Sequence, residues 1–88
     1  MPWSVELTPS AARDLKAMHR RFHHLLPKFK EIMEVLEKNP FEPIHNYEPL
    51  KWQPGHHSRR LDQTNRIVYF IKEPKVVVVS CLGHYGDH

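Results

Sequence analysis

The chain has 88 residues, 40% of them hydrophobic and 26% charged, enough for one domain with a single core over 1–88 and too apolar for a disordered tail. The formal net charge of +3 is spread over both halves, so it permits a polyanionic partner without demanding one. A lone cysteine, Cys81, excludes an internal disulfide, and the longest apolar run, 76–79, is far too short for a membrane helix, so the expectation is a cytoplasmic chain.

Trp3-Ser4-Val5-Glu6-Leu7 alternates apolar and polar residues, the period-2 pattern of a half-buried strand. Thr8 then offers an N-cap oxygen, and Pro9 a first helical residue whose missing N–H costs nothing. Ala11, Leu15, Met18, Phe22 and Leu25 recur at three- and four-residue spacing and predict a helix to about residue 25. Pro27 interrupts it and opens a second helix over 28–38, with Phe29, Ile32, Met33 and Leu36 on its apolar side. Asn39-Pro40 ends that helix. Two short amphipathic helices in tandem predict a helical hairpin over one face of a sheet.

Residues 40–57 hold Pro40, Pro43, Pro49, Pro54 and Gly55 and predict a long loop, of a length that usually serves a function. Three strands come after it. The first, 58–61, is short; the second, 66–72, is strong. The third, 75–82, has four consecutive valines and predicts a central strand buried on both faces. Turns at 62–65 and 73–74 make the three an antiparallel meander. The order strand, helix, helix, loop, three strands is α+β.

The residues able to do chemistry gather after position 47. Glu48, Lys51 and Trp52 stand on the loop, Arg59, Arg60 and Arg66 flank the first turn of the meander, and His84-Tyr85 lies just past its last strand. Each alone has a plainer reading. Strand-end arginines discourage sheet–sheet association, His84-Tyr85 is a tail, and Glu48 is an exposed loop carboxylate. Together, a carboxylate, a histidine and several arginines are what metal-free RNA cleavage needs. Attack by a 2′-OH on its adjacent phosphate requires a base, an acid for the departing 5′-oxygen, and cations where charge builds. Glu48 and His84 can fill the first two roles and the arginines the third, with a fork matched to phosphate. Lys51-Trp52 has the cation–aromatic pairing that holds a phosphate and stacks a base; equally, Trp52 anchors the loop on the core. The histidine pairs 19/23, 56/57 and 84/88 lack the glutamate or second cysteine of a zinc set. There is no glycine-rich phosphate loop either, so no metal and no cofactor are expected.

Five segments in order resemble the YoeB/Txe-type toxins of the RelE/ParE superfamily over residues 39–85. They are Asn39-Pro40-Phe41-Glu42, Glu48-Pro49-Leu50-Lys51, Gly55-x-x-Ser58-Arg59-Arg60-Leu61, Arg66-Ile67-Val68-Tyr69 and Cys81-x-x-His84-Tyr85. The resemblance implies a RelE-like, microbial-ribonuclease-like fold and the toxin of a type II toxin–antitoxin system. Such a toxin is an mRNA interferase, an endoribonuclease that cuts mRNA in the ribosomal A site and inhibits translation. The implied partners are a cognate antitoxin and the ribosome, with its 16S rRNA and A-site mRNA, and no membrane; the implied assembly is a homodimer or a hetero-oligomer with the antitoxin. By position, Glu48 resembles the general base, His84 the general acid and Arg66 the arginine that stabilises the phosphate. Arg60, Lys51 and Tyr85 resemble supporting contacts, and Arg59 and Trp52 complete the expected contact set.

The chain also departs from that pattern. His57 replaces a tryptophan, Asn65 a histidine and Leu82-Gly83 an Arg-Tyr pair; the loop before Gly55 is one residue short, and Gly86-Asp87-His88 continue past Tyr85. Two other readings share the scaffold. One is a ParE-like toxin that binds a topoisomerase without cutting RNA, against which the co-occurrence of Glu48 and His84 argues. The other is a catalytically inactive member, for which Gly83 and the tail argue.

Overall fold

The computed structural model describes residues 3–51 and 53–83. Its elements are β1 (Ser4–Leu7), α1 (Pro9–Arg21), a 3-10 turn (His23–Leu25), α2 (Leu26–Lys38), β2 (Glu48–Pro49), β3 (His56–Arg60), β4 (Arg66–Lys72) and β5 (Lys75–Ser80). They form one five-stranded sheet in the order β1-β5-β4-β3-β2, in which β1 runs parallel to β5 and every other pair is antiparallel. The fold is α+β, with the helical hairpin on one face of the sheet.

Thr8 joins the first strand to the first helix. Its amide donates to the Val78 carbonyl at 3.0 Å, while its hydroxyl accepts from the Ala11 amide at 3.1 Å and caps α1. The first helix stops at Arg21 rather than near residue 25. Proline at 27 has no N–H for the His23 carbonyl, and the chain tightens into a 3-10 turn before it and resumes as α2.

The hairpin brings Ala11, Met18, Leu25, Phe29, Ile32 and Leu36 onto Ile67, Tyr69, Val76 and Val78 of the sheet. Each fully buried aliphatic side chain adds about 1.5–3 kcal/mol, so this cluster carries the fold. In β5, Val76 and Val78 are buried against the helices, but Val77 and Val79 are only half-buried, so the four valines are not enclosed on both sides. A bulge between Val68 and Tyr69 shifts the β4–β5 register, pairing Val68 with Ser80 and Tyr69 with Val78. Such a bulge bends the strand that carries it and re-aims the side chains beside it.

The predicted loop 40–57 contains an edge strand, β2, and β3 begins at His56, two residues earlier than the hydrophobic pattern implies. The loop reverses through His45 (φ 56) and Asn46 (φ 55), left-handed positions that Asn adopts more readily than most residues. At the β3–β4 turn, Asp62 Oδ1 accepts from the Thr64 amide at 2.9 Å and the Asn65 amide at 2.7 Å. Among the described residues, no helix is long and apolar enough to cross a membrane.

Candidate functional site

Strand alternation decides which side chains can meet. In β3, His57 pairs with Tyr69 and Arg59 with Ile67, both on the helix face; Ser58 pairs with Val68 and Arg60 with Arg66, on the opposite face. Glu48 of β2 pairs with Ser58, so it too lies on the opposite face. One face of the sheet therefore gathers Glu48, Ser58, Arg60 and Arg66, drawn from three neighbouring strands.

Arg66 is the centre of that group. Its Nη1 donates to Ser58 Oγ at 3.2 Å and lies 3.7 Å from Glu48 Oε1. The Arg66 side chain is 15% exposed and that of Glu48 52%, so the cation is held and the carboxylate is open to solvent. The Arg66 amide donates to the Gly83 carbonyl at 3.2 Å, and the Gly83 amide donates to Asn65 Oδ1 at 2.9 Å. The end of the meander thus returns to the start of β4, a matter of register that residue spacing leaves open. His84, Tyr85 and the adjoining Gly86-Asp87-His88 lie outside the described residues, as does Trp52.

Arg60 is half-exposed and sits directly opposite Arg66 across β3–β4. Like charges facing each other on adjacent strands are unfavourable, and an anion bound on that face relieves them. Lys51 is exposed just past β2, where Leu50, itself buried, donates from its amide to the His56 carbonyl at 2.9 Å and fixes the end of the edge strand.

Arg59 does not join this set. The sequence pattern places it among the phosphate contacts, yet its side chain points to the helix face and is 0% exposed. Nε donates to Tyr69 Oη at 2.9 Å, Nη1 to the Ile44 carbonyl at 3.0 Å and Nη2 to the Pro40 carbonyl at 2.9 Å. The guanidinium also lies over the Tyr47 ring, 4.9 Å from its centroid. The correction is physical: two arginines adjacent in a strand point to opposite faces, and this one pins the 40–47 loop to the sheet.

A second cluster, not foreseen from the sequence, flanks Arg59. The His57 ring is stacked between Tyr47 and Tyr69, with centroids 5.6 Å away on each side, and Phe41 meets its edge. Burial pushes the His57 imidazolium below its ordinary range, and the nearby His56 and Arg59 charges add to that. Cys81 is buried and its thiol is pushed up to about 12, chiefly by burial and then by Asp14, which removes it as a nucleophile. Among the described residues, no three His, Cys, Asp or Glu side chains converge as metal ligands.

A solvent-open carboxylate beside a fixed guanidinium can take a proton from a hydroxyl whose neighbouring phosphate rests on the arginine.

Comparison with known proteins bears on the same region. The family model of the YoeB-like toxin of bacterial type II toxin–antitoxin systems matches residues 7–85. The Toxin YoeB of Synechocystis sp. is 34% identical over 62 residues, covering 69% of this chain and 72% of that protein. Among solved structures, the YoeB dimer from Staphylococcus aureus superposes with a TM-score of 0.85 at 26% identity, covering 97% of this chain and all of the other. A heterotetrameric YoeB–YefM toxin–antitoxin complex from the same organism gives a TM-score of 0.81 at 26% identity, with the same coverage.

Proposed function

The chain belongs to the YoeB-like toxins of bacterial type II toxin–antitoxin systems, within the RelE superfamily, and from that footing we propose that it is a ribosome-dependent endoribonuclease. It cuts mRNA in the A site and so inhibits translation. Glu48 takes the proton of a 2′-hydroxyl, the 2′-oxygen attacks the adjacent phosphorus, and the bond to the 5′-oxygen breaks. His84 protonates that departing oxygen, leaving a 2′,3′-cyclic phosphate and a 5′-hydroxyl. Arg66 and Arg60 face the phosphoryl oxygens, where negative charge builds. Lys51 and Tyr85 add supporting contacts, and Trp52 offers a stacking surface for a base.

The observation that supports this reading most directly is the placement of Arg66 Nη1 at 3.7 Å from Glu48 Oε1, on one sheet face. The partners we propose are the ribosome, through its 16S rRNA and A-site mRNA, and a cognate antitoxin. The antitoxin is suggested by the YoeB–YefM assembly of the Staphylococcus aureus relative.

The test is direct. Purified protein is added to ribosomes programmed with a defined A-site codon, and the 5′ ends of the mRNA are mapped. Cuts in phase with the codon are expected. Intact mRNA, together with DNA damage on induction in cells, would overturn the nuclease reading in favour of topoisomerase binding.

A further inference from the structure

Ser58 has no part in the reaction proposed above, yet it occupies the middle of the site. It is 0% exposed and sits between Glu48 on β2 and Val68 on β4. A buried hydroxyl is unfavourable unless it is hydrogen-bonded. Its partner is Arg66 Nη1 at 3.2 Å, the same nitrogen that stands 3.7 Å from Glu48 Oε1.

These two distances set one guanidinium nitrogen, which carries two N–H bonds, against a hydroxyl and a carboxylate. A charge-assisted N–H to carboxylate bond closes to about 2.7–2.9 Å when nothing opposes it, and attraction between the opposite charges favours that closure. Here the serine takes the shorter contact and the carboxylate is left with the longer one. A direct Glu48–Arg66 pair would turn the two groups toward each other, and a phosphodiester would have to break the pair before either could act.

We propose that Ser58 is a positioning residue whose hydroxyl holds the Arg66 guanidinium short of a direct pair with Glu48, keeping both groups accessible to an incoming phosphodiester. The proposal rests on the reading of Glu48 and Arg66 as working groups. It differs from a packing role for Ser58 in one respect: the effect of removing the hydroxyl depends on the charge of Glu48.

Two measurements test it. In a crystal structure of Ser58→Ala, the Arg66–Glu48 contact is expected to close to about 2.8 Å; a separation unchanged from wild type overturns the proposal. That readout does not depend on cleavage, so it still decides the matter if the wild-type protein proves not to cut mRNA. The second is affinity for ribosomes programmed with mRNA carrying a 2′-deoxy sugar at the attacking position. Ser58→Ala is expected to weaken binding about 10-fold in the wild-type background and less than about twofold in Glu48→Gln. No loss in the wild-type background, or equal losses in both, overturns it.

Discussion

Arg59 donates from Nε to the Tyr69 hydroxyl at 2.9 Å, and both residues then donate to the same Pro40 carbonyl, each at 2.9 Å. This triangle ties the loop before β2 to the centre of the sheet. Burial pushes the Tyr69 phenol up to about 12, against a smaller opposing effect from Arg59, so it remains a donor at any working pH. Arg59→Ala should destabilise the fold by about 3 kcal/mol, because two loop carbonyls and a phenol lose a charged donor. Tyr69→Phe should cost about 1–2 kcal/mol. Urea midpoints check both, and an Arg59→Ala midpoint equal to wild type would overturn its part in tying the loop to the sheet.

Glu48→Ala, Arg66→Ala and His84→Ala should each lower cleavage on programmed ribosomes by about 10²-fold or more, the scale of a lost acid–base group or charge-stabilising donor. Melting temperatures should show that the three variants remain folded. Wild-type rates in all three would remove these residues from the chemistry.

Arg60 and Lys51 are expected to act through charge. Binding to ribosomal RNA should weaken as salt rises, and replacing either residue with alanine should reduce the slope of log K against log salt by about one. Folded Arg59→Lys should leave that slope unchanged, since the Arg59 guanidinium is buried away from that face. Binding that stays flat from low to physiological salt would contradict the electrostatic account.

Folding stability should fall on mild acidification. The folded state holds the His57 imidazolium below its ordinary range. As pH drops through about 6.5, the unfolded chain therefore takes up a proton before the folded chain does, and unfolding is favoured. His57→Phe keeps a ring between Tyr47 and Tyr69 but cannot titrate, so it should flatten this decline. Asp62 acts lower. Burial raises its pKa, but hydrogen bonds from Thr64 and Asn65 outweigh that and hold it below 3.8. Its contribution is complete above the ordinary value and lost as pH falls through the folded one. Urea midpoints across pH 3–8 separate the two limbs.

Much of this architecture is legible in the sequence, because helix and strand periods are local. Thr8-Pro9 marks the start of α1, and the valine run marks β5. Two things were hidden. β2 is only Glu48-Pro49, too short to show a period and held as a strand by Ser58 and His57 across it. The parallel pairing of β1 with β5 depends on where distant segments meet. The division between Arg59 and Arg60 was readable in principle, since neighbours in a strand alternate faces. What the sequence does not say is which of the two turns inward; Tyr69 and the Pro40 and Ile44 carbonyls decide it.

The pairing of β1 with β5 sets an order of events during synthesis. Val5 lies opposite Val76, Thr8 donates to Val78, and Asp14 receives the Cys81 amide. At about 5–20 residues per second, the segment that forms the helical hairpin is made several seconds before the strand it packs on. Contacts so distant in sequence also form late and slowly. During that interval the apolar side of the hairpin has no sheet to cover it, and the face that gathers Glu48, Ser58 and Arg66 has no fixed shape. Until β5 is made, Met18, Ile32 and Leu36, buried in the finished fold, lack the strand they pack on, and an exposed apolar face of this kind is prone to association.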